Sequence, residues 1–310
     1  MAEVDEATGL AKVIGHGEGA ITAWYSGQIA MARLTSPWPN KIPAEVYSKS
    51  VQTNLIDRHV LEQLRQLNLM PSPLCTDSEF IRRIYLDVIG VLPTPKETRI
   101  FLANKSKDKR AKLVDELLDR PEFVDYWTYR WADMFLISGK KLRPNALKAY
   151  YQWLREEISK NTPWDQLVRQ VVTARGDSIE NGATNFYAIH QEPETMAENV
   201  SQAFMSLSIN CAKCHNHPLE KWTNDQYYAF ANLFARVRVK GWGGDARSGD
   251  GKRTLFVASR GDLRQPRTGK PQTPAPLDGK AINDPQIDRR QVLADWLTSC
   301  LLYTSDAADE

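Results

Sequence analysis

The stretch Thr76–Glu97, TDSEFIRRIYLDVIGVLPTPKE, decides the fold class. Thr76 and Glu79 stand at the spacing of a capping box, the pairing that satisfies the first amides of a helix. Phe80, Ile84, Val88 and Leu92, or their immediate neighbours, then recur at helical spacing and predict one buried stripe. Gly90 and Pro93 stop that helix, since neither continues it without cost. Thr94, Pro95 and Glu97 repeat the start signal at once, so a second short helix follows a tight turn.

The same signals continue on both sides. Upstream, Leu55, Ile56, Val60, Leu64 and Leu67 predict an amphipathic helix from about Asn54 to Asn68, with His59 on its polar side. Downstream, Leu113, Val114, Leu117 and Leu118 form another stripe that ends at Pro121, and Thr162, Pro163 and Asp165 start a helix running to Val172. Residues 122–158 carry Phe123, Tyr126, Trp127, Tyr129, Trp131, Phe135, Tyr150, Tyr151 and Trp153. Such rings can wall a flat cofactor, but the plainer reading is a core built from large side chains. Glu194–Ile209 reads as a helix, and Thr223 with Gln226 opens another that packs through Tyr227, Phe230, Leu233 and Phe234. A last helix is expected from about Pro285 to Thr298. The fold class is therefore mainly α, a helical bundle-like domain.

Little β structure is expected. In residues 7–36, Ile21, Ala23 and Tyr25 fall on one face and Thr22 and Trp24 on the other, the period of a strand. Too few such runs are present to close a sandwich, so they should be poorly held or pair only locally. His16 lies in a glycine-rich turn and is no ligand candidate, and Pro37–Pro43 reads as linker. Near 250–260, Thr254–Ser259 (TLFVAS) suggests a small hairpin. Lys240–Arg253 is glycine-rich but has neither the spacing nor the following helix of a phosphate loop. Residues 266–279 are extended and punctuated by proline.

The chemistry concentrates in Cys211–Trp222, CAKCHNHPLEKW, which gathers two cysteines and two of the five histidines. Cys211, Cys214 and His215 form CxxCH, the attachment signature of a c-type haem. Each thiol adds to a haem vinyl group, and His215 reaches the iron as proximal ligand. Zinc is the alternative, with Cys211, Cys214 and either His215 or His217 as three donors and a fourth from elsewhere. A redox-active thiol pair is the weakest reading, because nothing around the motif resembles a βαβ unit. For a sixth iron ligand the candidates are Met196, Met205 and His190, although core filling is the plain reading of each methionine. His217, followed by Pro218, cannot easily reach the opposite face of the same haem. It suits a propionate contact, a second metal or a helix cap. Glu220 and Lys221 read as a surface pair and Trp222 as a core anchor.

Residues 211–237, CAKCHNHPLEKWTNDQYYAFANLFARV, together with Ile81–Glu97, Gly269–Gly279 and Asp288–Ser299, resemble the cytochrome c-like domain of unknown function found in large planctomycete and verrucomicrobial proteins. The likeness runs over roughly 50–299. It implies a haem-bearing, extracytoplasmic module with an unknown redox partner. Residues 1–36 resemble the last strands of a bacterial Ig-like group 2 domain. The expected division is thus a partial Ig-like segment at 1–36, a linker at 37–50 and the cytochrome c-like domain at 51–299. Residues 300–310, CLLYTSDAADE, match the translation of a sequencing adapter and are read as a scar.

Composition narrows the function classes. The 310 residues carry a net charge of +2 with no long basic run, which argues against a nucleic-acid grip. No apolar stretch is long enough to cross a bilayer. Met1 is followed by AEVDEATG rather than a basic and apolar leader, so a periplasmic or cell-surface location requires a signal peptide upstream of this fragment. With Cys300 set aside, Cys75 is the one cysteine outside the motif and reads as a small buried residue. No nucleophile with a base, carboxylate pair or HExxH signature stands out, and the RGD at 175–177 is too short to mean binding.

Overall fold

The computed structural model describes residues 2–25, 28–190, 192–241 and 252–299. Most of the glycine-rich stretch at 240–253 and the adapter-like end at 300–310 lie outside them. The chain divides into two compact units, Met1–Thr76 with Pro218–Glu220, and Asp77–His217 with Lys221–Glu310. Twelve α-helices and a few small sheets are present among the described residues, so the chain is mainly α with small β elements.

In the first unit, β1 (Ala2–Val4) pairs antiparallel with β2 (Ala11–Val13), and β3 (Gly17–Tyr25) with β4 (Gln28–Ser36). The two ribbons are separate two-stranded sheets, so pairing is local as the strand count required. Residues 37–43 have no regular structure, and α1 (Ala44–Ser48) follows inside the expected linker. A complete capping box between Asn54 and Asp57 starts α2 (Leu55–Gln66). The helix forms where the stripe predicted it, yet Leu55, Ile56 and Val60 are exposed while Leu61 and Leu67 are buried. Within the unit the five-residue α1 packs beside it, too short to cover a wide apolar face.

In the second unit, α3 (Asp77–Ile89), α4 (Pro95–Ala103) and α5 (Lys109–Leu118) enclose a core of Ile81, Tyr85, Ile89, Phe101, Leu113 and Leu117. The inward residues of α3 are the immediate neighbours of the predicted stripe, with Phe80, Ile84 and Val88 packed at its margin and Leu92 exposed. Gly90 has φ of 71°, and a side-chain carbon there would meet the Tyr126 ring of α6 (Pro121–Met134). Glycine is needed both for the left-handed turn and for the close approach. Next come α7 (Pro144–Ser159), α8 (Trp164–Val172), the edge strand β5 (Gly176–Asp177), α9 (Asn185–Ala188) and α10 (Pro193–Met205). After them, α11 (Asn224–Ala231), β6 (Val237–Lys240), β7 (Thr254–Val257) and α12 (Arg289–Leu297) complete the unit.

The larger core holds Phe135, Tyr150, Leu154, Phe186, Tyr187, Phe230 and Phe234, all essentially inaccessible. Trp131 and Trp164 pack with ring centroids 4.5 Å apart. The aromatic weight of 122–158 is therefore largely core, although Tyr129 stays 63% exposed. The expected hairpin exists as β6 against β7, with β5 added as a third strand in the order β5-β7-β6. The RGD residues are absorbed structurally, since Arg175 pairs with Asp288 at 2.6 Å and Asp177 with Lys252 at 2.7 Å. Asp288 also meets Arg290, a fully buried arginine that donates to the Ala174 carbonyl at 2.8 Å and lies over the Tyr187 ring.

Two features of this unit are directly testable. The Glu97 carboxylate accepts from the Thr94 hydroxyl and amide at 2.6 and 2.7 Å and from Arg120 at 2.9 Å. These contacts hold its pKa down to about 2 from an ordinary 4.5. A depressed carboxylate contributes stability above its unfolded value and loses it as pH falls toward the folded one. Urea midpoints should thus drop between pH 4.5 and 2, and Glu97→Gln should start lower at pH 7 and flatten that slope. Separately, the 3-10 turn Gly182–Thr184 presses on α7 so closely that a Cβ at Gly182 would meet the Ala149 carbonyl and lie 2.6 Å from Trp153 Cβ. Gly182→Ala should cost about 2 kcal/mol or more by denaturant titration, since the obstructing atoms are backbone and a helix Cβ.

Candidate functional site

Helix α10 ends at Ser206, which takes the left-handed conformation with φ of 54°. A non-glycine residue there costs about 1 kcal/mol or more, the kind of local strain that a surrounding structure must hold in place. The amide of Leu207 donates back to the Ser201 carbonyl at 3.1 Å, closing the helix and turning the chain toward the CxxCH segment.

That segment opens as a 3-10 turn, Asn210–Lys213. Its burial pattern follows from side-chain type. Ile209 and Ala212 are completely buried in the larger core, whereas Asn210, Cys211, Lys213 and Cys214 are exposed. Two apolar anchors three positions apart therefore press one side of the turn inward and leave both thiols on the outer side. The Cys211 carbonyl accepts from the amides of Cys214 at 3.3 Å and His215 at 3.4 Å, so the five residues form one tight loop.

Three residues outside the motif brace it. Asn224, the first residue of α11, is buried, and its side-chain amide donates to the carbonyls of Ala212 at 2.8 Å and Lys213 at 2.9 Å. Its backbone amide donates to Asn216 Oδ1 at 3.1 Å, so Asn216 satisfies one of the helix's first amides while the Thr223–Gln226 capping box satisfies others. Asn224 Oδ1 in turn accepts from Gln265 Nε2 at 2.5 Å, and that same amide reaches Asp225 at 2.7 Å. Gln265 is fully buried, and its oxygen accepts from Thr268 and Gln272, both at 2.9 Å. The proline-punctuated segment is thus a strap over α11. Asn232 tightens it by donating to the carbonyls of Leu263 at 3.0 Å and Gln272 at 2.9 Å.

The two histidines are held differently. His215 is half-buried, and its Nδ1 lies 2.8 Å from the Asn216 carbonyl. A carbonyl only accepts, so Nδ1 carries the proton and Nε2 is the basic nitrogen. His217 bonds through Nε2 to the Ser208 carbonyl at 2.9 Å, and its amide donates to the Trp222 carbonyl at 2.8 Å. His217 thereby ties the exit of the loop to its entrance. Trp222 is buried, as its reading as a core anchor required, and its indole N–H has no acceptor among the described residues. Lys221 lies over the Trp222 ring at 5.0 Å and pairs with Asp278 at 2.9 Å. The Tyr228 hydroxyl is pushed up by burial, then by Glu194 and Cys214.

The remaining candidates lie elsewhere in the unit. Met196 is buried in the larger core and Met205 packs against it from the other end of α10. His190 lines a separate cleft, described below. Cys75, which belongs to the first unit, is partly buried. Among the described residues, no three His, Cys, Asp or Glu side chains are grouped to hold a metal ion.

A family model described as PSCyt2, protein of unknown function (DUF1549), matches residues 55–239. The chain belongs to the PSCyt2 family. The PSCyt2 match begins at the first residue of α2 and ends within β6, so it contains the CxxCH turn, Asn216 and Asn224. Gln265 and the strap lie beyond it. Comparison with curated proteins finds no match, and comparison with solved structures finds none.

Asn224, Asn216 and Gln265 carry no chemistry that a motif search rewards, which is why the CxxCH reading passed over them. The available signal was Asn224 itself, a second strong capping residue immediately after a Thr223 that already caps the helix. Asn224→Ala removes both hydrogen bonds to the loop and one of the two acceptors of the Gln265 amide, leaving it Asp225. It should cost about 2 kcal/mol or more in thermal or urea unfolding, whereas Thr268→Ala, at the rim of the same network, should cost under about 1 kcal/mol.

Proposed function

We propose that the chain carries a covalent c-type haem, with thioethers at Cys211 and Cys214 and His215 as the proximal iron ligand, and that it serves electron transfer within an exported multidomain protein. The observation that carries the reading is the combination of two exposed thiols on one rigid turn with a histidine whose Nδ1 is already engaged by the Asn216 carbonyl. Metal-bound histidines characteristically donate their second nitrogen to such an acceptor, which fixes the tautomer and aims the other nitrogen.

The fit extends to the surroundings. Attachment requires thiols reachable from outside, and Cys211 and Cys214 are exposed while their neighbours Ile209 and Ala212 anchor the turn. The orphaned Trp222 indole N–H is a donor that a cofactor carboxylate would satisfy. A bound haem supplies one-electron chemistry at its iron. The protein's part is to hold the turn through Asn224 and orient His215 through Asn216. Because thioether attachment depends on an export-linked maturation system in the proteins this chain resembles, the reading places it in the periplasm or at the cell surface.

The test is expression of the full chain with an export signal in a host that matures c-type cytochromes, beside a Cys211→Ala, Cys214→Ala double variant. The wild type should show a c-type haem spectrum after denaturation and reduction in pyridine, and the variant should lose it. Wild-type protein with no covalent haem and one stoichiometric zinc would overturn the reading in favour of a zinc-stapled structural module.

A further inference from the structure

A second cleft lies in the larger unit, and none of its described lining residues belongs to 211–217. It encloses about 690 Å³ between the loop before α7 and the start of α10. That volume falls in the range of small-molecule sites.

Its described lining is strongly unbalanced in charge. Lys140, Lys141, Arg143 and Arg253 contribute four cations, against a single exposed carboxylate, Glu192. Among the described residues the half-buried Arg143 forms none of the ion pairs that Lys109, Arg110, Arg120, Arg289 and Arg290 make, and the exposed Lys140 and Lys141 form none either. Arg253 is buried, and its guanidinium donates to the carbonyls of Ala188 at 2.6 Å and Lys141 at 3.3 Å. Burial and the nearby Arg143 both push its pKa down. The exposed Lys140 and Lys141 and the half-buried Arg143 thus stand around one buried guanidinium, an arrangement that a bound anion would relieve.

Two helices also point their positive ends here. Arg143 and Glu192 are the N-cap residues of α7 and α10, and neither caps its helix through a side chain. Each helix begins with proline, and Pro144 and Thr195 line the cleft. Helix N-termini favour negative charge through their dipoles and first amides.

The independent sign of a ligand is His190. It is 6% exposed, lines the cleft, and has no hydrogen-bond partner at either ring nitrogen among the described residues. A buried imidazole always carries at least one N–H, and leaving that donor unpaired is unfavourable. Burial, then Lys141, holds its pKa down at about 4, so near neutral pH it offers one donor and adds no further charge.

From these residues we infer that the cleft binds an oxyanion, a phosphate or sulfate group, with Lys141, Arg143 and Arg253 supplying charge and His190 donating one hydrogen bond from the cleft wall. The volume exceeds what a bare tetrahedral anion fills, so the group is carried on a small organic molecule as an ester. The site stands independently of the haem reading.

Calorimetric titration of the full chain with inorganic phosphate, inorganic sulfate, phenyl phosphate and phenyl sulfate tests this, with the His190 ring signals followed by NMR. Saturable binding should shift the His190 signals, and Lys141→Ala, Arg143→Ala should weaken it by about tenfold or more through loss of charge-assisted contacts. His190→Gln, which keeps a donor, should retain most of the affinity, whereas His190→Leu should not. The exposed pair Lys105→Ala, Lys107→Ala is the control for general charge and should bind as the wild type. Tighter binding of the phenyl esters supports the ester form, and equal binding of the free anions supports a bare oxyanion site. No saturable binding of any of the four probes, or equal weakening in the Lys105, Lys107 control, overturns the proposal.

Discussion

The side-chain amide of Asn224 spans the carbonyls of Ala212 and Lys213, and the candidate site depends on it more than on any residue within the CxxCH. A loop that must expose two thiols cannot be held by burying them. It has to be held from behind, by apolar anchors and by hydrogen bonds to backbone that faces inward. Ile209 and Ala212 provide the first, and Asn224 provides the second. Because the amide is buried, failing to make those bonds would cost more than making them gains, so the network is effectively obligatory.

That constraint propagates outward. Asn224 can serve the loop only if its oxygen is satisfied by Gln265, which requires the strap, which in turn requires Asn232 on the far end of α11. The strap then fixes α11 against the larger core through Tyr227 and Phe230. His217 closes the same loop from the other side through Ser208 and Trp222. The thiol-bearing turn is thus the visible end of a buried polar chain about as long as the helix behind it.

Much of this fold was legible in the residues. The capping boxes at Thr94 and Thr223 mark helix starts correctly, because capping is a local interaction complete within four residues. The Gly90 stop was readable for the same reason, whereas the aromatic core was readable from side-chain type and β7 from its strand-like composition. What was not readable depends on partners far away in the chain. The face of α2 is set by the little that packs against it, so Leu55, Ile56 and Val60 are exposed despite helical spacing. The third strand, Gly176–Asp177, is too short to carry any pattern. At the site, the CxxCH announces itself, but Gln265 lies more than 40 positions from it, and a lone buried glutamine has no signature until the strap is in place.

The central claim is that the loop is preformed, with His215 already presenting Nε2 as its basic nitrogen. Nitrogen-15 NMR of the haem-free full chain at mildly alkaline pH reads this directly. The account predicts that the proton of His215 resides on Nδ1, coupled to the Asn216 carbonyl, and that this preference weakens in Asn224→Ala. An Nε2-protonated His215 in the wild type would contradict it, because the imidazole would then need to be rebuilt before it could ligate a metal through that nitrogen.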